Sequence, residues 1–453
     1  MRWFLALGAA LVAAVPAVAL SGAPNTDWGR FGYDAARRNV SADTKITAQN
    51  ASTLVRRQVQ LDGTVDSSPI YVRGMFIVTT TYGRTEALNA NTGKVIWRFT
   101  PPAYSRLAGS AQITNATPAA ATDRTAVYAA ASDGRIRKLR LTDGKVLWTT
   151  TITRDPTHEK ITSSLNVSRG LVIATTGGYI GDAPPYQGHV VTMSEKTGRI
   201  AHVWNSLCSN RHTLIIPSTC AASDSAIWSR NGAAVDPANG DVVVATGNAP
   251  FNGSTNWGDS VIVLSPDASR MLRHWTPADQ DHLNTSDLDL GSTSPALFDG
   301  GYALQGGKDG KLRLLQLHRL PGVNARTGGE LQTVPTPGGF GLFSEPAIWK
   351  GKWAFVSDDA GTTAWLLGGG RLHEVWSNKN GGTSPVVVGN LLYVAGSGSV
   401  HVYLPTTGTE VANLASGNVH WQSPIVADGR VAMPEGNAND HATTGVLDIY
   451  RLP

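Results

Sequence analysis

Short apolar segments alternate with glycine-rich turns along most of the chain, and the alternation follows one recurring unit. Each unit begins with Ser-Pro or a variant and passes through an apolar strand, a turn and a second strand. The clearest copies are SSPIYVRGMFIVTTTYGRTEALNANTGKVIW, which ends at Trp97, and ATPAAATDRTAVYAAASDGRIRKLRLTDGKVLW, which ends at Trp148. The unit predicts four short strands, with hairpin turns at NTG, TDG and KTG where Asn, Asp and Gly tolerate a positive φ.

Six further copies of the unit follow these two. They start near Ser163, Trp228, Ser294, Ser344, Ser384 and Ser423. Each sheet has an apolar face that needs a neighbour, so copies spaced by roughly 35 to 65 residues predict an all-β, eight-bladed β-propeller of four-stranded blades. The Trp residues that recur at one place in the unit are predicted to pack between blades. They are Trp97, Trp148, Trp204, Trp275 and Trp376.

The two ends of the repeat array are each incomplete. The last copy, SPIVADGRVAMPEGNANDHATTGVLDIYRLP, lacks a Trp-bearing fourth strand, whereas TLVRRQVQLDG at 53–63 is a strand that precedes the first blade. We predict that this N-terminal strand pairs with the segment near 446–452, because closing the ring removes an exposed sheet edge.

The first residues of the chain have the features of a secretory signal peptide. MRWFLALGAALVAAVPAVALSGA has a basic residue at Arg2, an apolar stretch and a small-x-small triplet at 17–19. Pro16 interrupts the apolar stretch, which is short for a bilayer span of ~20 residues, so export is favoured over an uncleaved anchor. We predict a signal peptide at 1–19, an N-terminal segment at 20–52 and the propeller at 53–453, in a secreted or periplasmic protein without a membrane span.

The charge balance argues against nucleic acid or a membrane surface as the partner. The chain has 38 basic and 34 acidic residues, a formal net charge of +4 and no long run of Lys and Arg. Its 49 Gly and 24 Pro residues are typical of a turn-rich all-β protein. Composition does not indicate an oligomeric state.

The chain contains two cysteines, Cys208 and Cys220, in CSNRHTLIIPSTC. A close pair in an exported protein is more often bridged than free, so we predict a disulfide that pins a loop at a rim of the propeller. The alternative is two unpaired buried thiols. No Cys-x-x-Cys-His haem attachment sequence occurs, so an electron acceptor would have to be a separate molecule.

The segments EALNANTGKVIW and SDGRIRKLRLTDGKVLW resemble the repeat of the pyrroloquinoline-quinone (PQQ) enzymes, the quinoprotein alcohol dehydrogenase-like propellers. Non-catalytic propellers such as the outer-membrane barrel-assembly lipoprotein share this repeat, so it specifies the fold and not the activity. The segment DWGRFGYDAARRNVS is similar to the N-terminal part of the polyvinyl-alcohol-dehydrogenase-like branch.

The same resemblance implies a cofactor site. Trp228 falls where the family's Trp stacks under the quinone, and Asn248, in ATGNAPFN, falls on a side-chain ligand of the cofactor-bound Ca²⁺. Asp287, in LNTSDLDLGSTSP, falls on the catalytic base and is also a candidate metal ligand. Lys308 falls on the basic residue that contacts the quinone oxygens, and Thr176 is a further cofactor-binding candidate. These residue types suit stacking, binding of a hard cation and removal of an alcohol proton.

The sequence also departs from the family's site. The adjacent cysteine pair beside the quinone is missing, and the arginine that binds a cofactor carboxylate has no clear counterpart. Where the family has a Ca²⁺-binding glutamate, this chain has Tyr179, and Asp182 three residues later is a possible substitute. Loss of one carboxylate ligand should weaken a divalent-ion site.

Three functions are therefore compared. The first is an exported PQQ- and Ca²⁺-dependent oxidoreductase that acts on a small or polymeric alcohol or polyol with a separate electron acceptor. The second is a non-catalytic binding or scaffold propeller that has lost the cofactor. The retained residues favour the first and the missing groups favour the second. A hydrolase using Asp287 and Asp289 is weaker, because no nucleophile–base pair accompanies them; Asp289 is expected to cap the loop or join a metal site.

Overall fold

The computed structural model describes residues 26–453, so the predicted signal peptide at 1–19 lies outside the described residues. In the described part the strands form eight separate sheets, each assembled almost entirely from consecutive strands. The first strands of neighbouring sheets contact one another, so they surround a common axis. The predicted all-β, eight-bladed propeller of four-stranded blades is confirmed.

The first four blades follow one another from residue 70 to residue 275. Blade 1 contains Ile70–Val72, Met75–Thr79, Thr85–Asn89 and Val95–Phe99. Blade 2 contains Ala119–Ala120, Ala126–Ala131, Arg135–Arg140 and Val146–Thr151. Blade 3 contains Lys160–Ile161, Asn166–Ser168, Leu171–Gly177, His189–Ser194 and Ile200–Asn205. Blade 4 contains Ala234–Val235, Val242–Ala245, Val261–Leu264 and Met271–Trp275.

The remaining blades complete the ring, and two of them take strands from the N-terminal part of the chain. Blade 5 contains Ala296–Leu297, Tyr302–Gln305, Lys311–Gln316 and Gln332–Pro335. Blade 6 contains Ala347–Trp349, Trp353–Asp358, Gly361–Gly368 and Arg371–Asn378. Blade 7 contains Val40–Ser41, Val386–Val388, Leu391–Gly396, Ser399–Tyr403 and Glu410–Ala415. Blade 8 contains Val55–Leu61, Ile425–Ala427, Arg430–Glu435 and Gly445–Arg451.

Helices in residues 26–453 are short and lie in the connections. The α-helices are Tyr104–Leu107 and Gln280–Thr285. The 3₁₀ helices are Ala51–Thr53, Pro217–Thr219, Leu290–Ser292, Asp299–Gly301, Leu317–Arg319 and Ala438–Asp440. In this part of the chain, every helix is too short or too polar to traverse a lipid bilayer.

The ring closes through the predicted pairing of the two ends of the chain. Val55–Leu61 runs antiparallel to Gly445–Arg451, with Val55 opposite Arg451 and Leu61 opposite Gly445. Arg56 strengthens this junction, since its guanidinium donates to both carboxylate oxygens of Asp448, at 2.8 and 2.7 Å. The closure prediction is confirmed, and the last blade has no missing strand.

The recurring Trp residues pack between blades as predicted. The Trp97 indole N–H donates to the carbonyl of Leu141 in the next blade at 2.7 Å, and Trp376 makes the same kind of bond to Pro405 at 2.8 Å. The glycine of the TDG turn serves this contact: Gly144 has φ 71°, and a Cβ there would lie 2.5 Å from the Trp97 ring. The turn therefore needs glycine for its conformation and for its close approach to the preceding blade.

The N-terminal segment packs against the inner strands around the axis. Backbone hydrogen bonds join Trp28 to Tyr71, Gly29 to Ala120, Ala35 to Val235, Arg38 to Ile348 and Asn39 to Val387. These partners belong to blades 1, 2, 4, 6 and 7, so one short segment links blades all around the ring. Arg37 lies inside this arrangement with no exposed surface, and donates to the carbonyls of Phe31, Ser164 and Leu165.

Cys208 and Cys220 form the predicted disulfide, with their Cα atoms 6.1 Å apart. The loop that they close connects the last strand of blade 3 to the first strand of blade 4. We expect the double variant Cys208→Ser, Cys220→Ser to lose roughly 2 to 3 kcal/mol of unfolding free energy, because the open loop gains conformational entropy in the unfolded chain. Urea unfolding of the oxidised wild type and the variant checks this, and coincident midpoints would contradict it.

Candidate functional site

A cavity of about 660 Å³ lies at the end of the ring where the inner strands begin. Its walls come from the loops that precede the first strands and from hairpin loops of blades 3, 4, 5 and 8. Four of the residues singled out in the sequence line it: Trp228, Asn248, Asp287 and Lys308. The structure therefore brings together side chains from two successive blades, although their roles stay predictions.

Three aromatic side chains form the apolar part of the cavity. Trp228 is half-buried, and its ring centroid lies 6.1 Å from that of Phe343 and 5.9 Å from that of Trp421. Phe343 and Trp421 stack on each other at 5.0 Å with their planes 3° apart. Sequence reasoning missed these two, although each stands one or two residues before the serine that opens a blade, as Trp228 also does.

An acidic cluster with one lysine forms another part of the cavity wall. Lys308 Nζ lies 2.7 Å from Asp287 Oδ1 and 2.6 Å from Asp289 Oδ2. Asn248 joins both carboxylates, since its side-chain amide donates to Asp287 Oδ1 at 3.1 Å and its backbone N–H donates to Asp289 Oδ1 at 2.7 Å. Asp289 thus joins its loop to the blade 4 hairpin, and its predicted roles as a loop cap or a metal ligand stay predictions.

The loop backbone explains why the two carboxylates differ. Asp287 has φ 53°, a left-handed conformation that Asp tolerates better than most residues, and 72% of its side chain is exposed. Three residues later the chain enters the 3₁₀ helix Leu290–Ser292, whose first N–H donates to the buried Asp259 at 3.1 Å. Asp289 is consequently held against the wall with 13% of its side chain exposed.

Burial and like charges set the protonation behaviour of this cluster. Burial raises the pKa of Asp289, although Lys308 opposes the shift. Burial would lower the pKa of Lys308, but the charges of Asp289 and Asp287 outweigh it and raise that pKa. Burial raises the pKa of Asp224 as well, and the nearby Asp182 and Asp289 add to the shift. The acidic cluster is thus short of positive charge.

Asn248 supplies an oxygen without a partner. Its Oδ1 is buried and accepts no hydrogen bond from any described residue. An unpartnered amide oxygen beside carboxylates is a suitable ligand for a hard cation. Within residues 26–453, however, no group of three or more His, Cys, Asp or Glu side chains is arranged to hold a metal ion. Any cation would therefore be held by a mixed set of low charge.

The segment 179–182 lies on the cavity wall; it contains Tyr179, at the position of the family's glutamate ligand, and Asp182, the possible substitute for that ligand. Tyr179 turns its hydroxyl away, donating to the carbonyl of Pro156 at 2.8 Å. Asp182 lines the cavity and accepts a hydrogen bond from the Tyr186 hydroxyl at 2.8 Å. Its replacement of the missing ligand stays a prediction.

Thr176 is not among the residues that line the cavity. It is fully buried in the strand Leu171–Gly177 of blade 3, where its hydroxyl donates to the Gln187 carbonyl at 3.1 Å and accepts from the His189 N–H at 2.9 Å. Both hydrogen-bonding capacities of the hydroxyl are used within the blade, so the structure gives Thr176 no contact surface for a cofactor.

The architecture and the axial cavity define a propeller built from PQQ-type repeats. The sequence model of the family described as outer membrane protein assembly factor BamB matches residues 17–246, just over half of the chain. The chain belongs to this family, and its predicted membership of the PQQ-repeat propellers is confirmed. Its placement in the polyvinyl-alcohol-dehydrogenase-like branch stays a prediction.

Curated relatives of the chain are quinoprotein alcohol dehydrogenases of low identity. The dehydrogenase subunit of the quinone-linked alcohol dehydrogenase of Acetobacter aceti is 25% identical over 253 residues, which are 48% of this chain and 33% of the relative. Quinohemoprotein alcohol dehydrogenase ADH IIB of Pseudomonas putida is 24% identical over 299 residues, or 60% of this chain and 43% of the relative. The chain thus spans less than half the length of these relatives.

A solved structure extends the likeness of the fold over almost the whole chain. Quinohemoprotein alcohol dehydrogenase from Comamonas testosteroni superposes with a TM-score of 0.73, covering 96% of this chain and 82% of its own, at 16% identity. At this identity the superposition shows the fold and leaves the activity open.

Proposed function

We propose that this protein is an exported oxidoreductase of the quinoprotein alcohol dehydrogenase type, acting on an alcohol or polyol with PQQ bound beside Trp228. The observation that carries the proposal is the meeting of Trp228, Asn248, Asp287 and Lys308 at one cavity. The quinone-linked relatives support it, although they share only part of their length with this chain. The electron acceptor would be a separate molecule.

The residues present fit a flat quinone and a hard cation. Trp228, Phe343 and Trp421 give the cavity an aromatic lining, which suits a planar ligand. The unpartnered Oδ1 of Asn248 and the carboxylate of Asp289 would hold Ca²⁺, and Asp287 is a further candidate ligand. When bound, PQQ would supply the hydride acceptor and Ca²⁺ would increase its electrophilicity. The low charge of the ligand set predicts weak binding of the metal ion.

The chain's own contribution is to hold and move a proton at Asp287. Lys308 and the Asn248 amide both bond to Oδ1, which fixes the orientation of the carboxylate. Among the described residues none donates to Oδ2, so this oxygen is free to accept the hydroxyl proton of an alcohol. Lys308 lies between the carboxylates of Asp287 and Asp289. Its positive charge stabilises the negative charge of this pair before and after the proton transfer.

Reconstitution tests the proposal directly. Purified protein is incubated with PQQ and Ca²⁺ and desalted, and its absorption spectrum is recorded before a broad panel of alcohols is assayed with an artificial electron acceptor dye. Retained quinone absorbance together with alcohol-dependent dye reduction is expected. Protein that retains no quinone at micromolar concentrations and oxidises no alcohol would refute the enzymatic function.

Trp228→Ala is expected to weaken PQQ binding by at least about ten-fold, because it removes the stacking face from the cavity wall. Trp228→Phe keeps an aromatic face at the same place and serves as the matched variant, with a smaller loss. Equilibrium titration followed by absorbance measures both. Equal affinities of wild type and Trp228→Ala would place the quinone elsewhere or exclude it.

A binding or scaffold propeller is the second candidate, and one contact favours it. Lys308 forms ion pairs with both Asp287 and Asp289, so the proposed base is already engaged by a cation of the chain itself. The family to which the chain belongs is described by an assembly factor, which agrees with a non-catalytic role. This candidate predicts that the reconstitution experiment yields neither bound quinone nor activity.

A further inference from the structure

The wall of the cavity also carries positive charge that the proposed chemistry does not use. Lys160, in the short strand Lys160–Ile161 of blade 3, lines the cavity together with Arg230, which follows Trp228 by two residues. Among the described residues, the Lys160 ammonium has no hydrogen-bond or ion-pair partner. A half-buried lysine that lines a cavity and has no partner would be stabilised by a ligand of opposite charge.

The carboxylate whose charge acts on Lys160, that of Asp66, is already bonded to several other donors. Asp66 is fully buried and bonds through Oδ1 to Arg230 Nη2 at 2.9 Å. Its Oδ2 accepts from Asn115 Nδ2 at 2.9 Å, from His420 Nδ1 at 2.8 Å and from the Ala438 N–H at 3.0 Å. The arrangement locks Arg230 in place and leaves the Lys160 amine without an ion-pair partner among the described residues.

Arg230 adds a second unsatisfied group on the same wall. Only 6% of its side chain is exposed, and its Nε is buried without a hydrogen-bond partner in the described part of the chain. Its guanidinium also lies over the Trp421 ring, with Cζ 5.3 Å from the ring centroid. The basic wall is therefore continuous with the aromatic lining, so a flat ligand could touch both.

The charge of Lys160 responds to what occupies the cavity. Burial and, second to it, the charge of Arg230 lower the pKa of Lys160 to about 7, and the charge of Asp66 opposes the shift. Neighbouring Glu159 is engaged by His189 at 2.8 Å, on the other face of the strand, and Tyr179 lines the cavity nearby. An anion next to Lys160 would raise this pKa again, so binding and protonation are linked.

We propose that Lys160 and Arg230 form a carboxylate-binding subsite that takes up a proton as its ligand binds. The ligand is a flat or elongated molecule with at least one carboxylate, whose apolar part lies along Trp421. Two sources share this chemistry: a free organic acid, or the carboxylates that PQQ itself bears. The subsite consists of Lys160 and Arg230 and does not depend on the proposed oxidoreductase activity.

Calorimetric titration of the full chain with isophthalate tests the subsite, and neutral isophthalamide is the matched probe. At about pH 8, in two buffers of different ionisation enthalpy, isophthalate should bind with uptake of on the order of one proton. Near pH 6 the amine is already protonated, so uptake should fall toward zero. Isophthalamide should bind at least about ten-fold more weakly and without proton uptake.

Three variants isolate the role of Lys160. Lys160→Met should lower isophthalate affinity about ten-fold and abolish proton uptake. Lys160→Arg keeps a permanent charge, so it should retain affinity but still lose the uptake. Lys94→Met, at an exposed hairpin of blade 1, is the control and should behave as wild type. Circular dichroism establishes folding, and if Lys160→Met does not fold, Lys160→Arg decides alone.

PQQ and its trimethyl ester distinguish the two sources. If the cofactor carboxylates occupy the subsite, PQQ should bind with the Lys160-dependent uptake, the ester without it, and isophthalate should compete with PQQ. If a free acid is the ligand, isophthalate should still bind with proton uptake at saturating PQQ. Isophthalate binding without any PQQ binding would keep the subsite and remove the proposed function. Proton uptake that is absent, or unchanged in Lys160→Met, would overturn the subsite, whether or not PQQ binds.

Discussion

Asp287→Asn should lower the turnover of dye-linked alcohol oxidation by roughly a thousand-fold, with PQQ and Ca²⁺ supplied, while quinone affinity changes little. The amide has the shape of the carboxylate, and its oxygen can still accept from Lys308 and from the Asn248 side chain, which lie 2.7 and 3.1 Å from Oδ1. It cannot accept the proton of the substrate hydroxyl. The loss should therefore fall on turnover and leave binding almost intact.

Asp281→Asn is the matched control for this experiment. Asp281 is exposed on the short helix Gln280–Thr285, on the same connection between blades 4 and 5, and it is not among the residues that line the cavity. Both variants are assayed for turnover and titrated with PQQ. An Asp287→Asn protein that keeps a tenth or more of the wild-type turnover would show that another group is the base.

The fold could be predicted from the sequence because each blade has its own recurring sequence motifs. A Ser-Pro start, a glycine turn and a terminal Trp recur from unit to unit, and the contact of Gly144 with Trp97 shows that the turn of one unit packs on the Trp of the preceding unit. The unpaired strand at 53–63 implied that the ring closes through it, because the number of predicted strands left the last blade one strand short. By contrast, the local sequence pattern does not predict that Val40–Ser41 joins blade 7, because this parallel pairing depends on the complete ring.

Only part of the candidate site could be predicted from the sequence. Trp228, Asn248, Asp287 and Lys308 lie in successive blades, so their order along the chain kept the resemblance visible. The basic wall was missed because its partners are remote: Arg230 and Asp66 are 164 positions apart and meet only when the ring has closed. For Thr176 the sequence could not show that its side chain is hydrogen-bonded inside blade 3.

The N-terminal segment gave no sign of its role, because its contacts are with backbone groups of the blades that no sequence pattern encodes. Arg37 is the clearest case. Its guanidinium donates to the Phe31 carbonyl at 2.6 Å, to that of Ser164 at 2.8 Å and to that of Leu165 at 3.0 Å. Burial lowers the pKa of Arg37 to about 9, which still leaves it protonated at neutral pH. The charge is thus spread over several carbonyls at the axis.

Arg37→Ala should therefore reduce the unfolding free energy by about 3 kcal/mol, because it leaves buried carbonyls without donors and opens a void at the axis. Arg38→Ala is the matched control: Arg38 is 33% exposed and paired with Asp34, so its removal should cost no more than about 1 kcal/mol. Urea unfolding midpoints compare the two variants with wild type. Limited proteolysis adds a local reading, since loss of the Arg37 contacts should release residues 26–52 to cleavage before the blades are cut. If both variants unfold at the wild-type midpoint with the N-terminal segment still protected, Arg37 is not what fastens that segment to the ring.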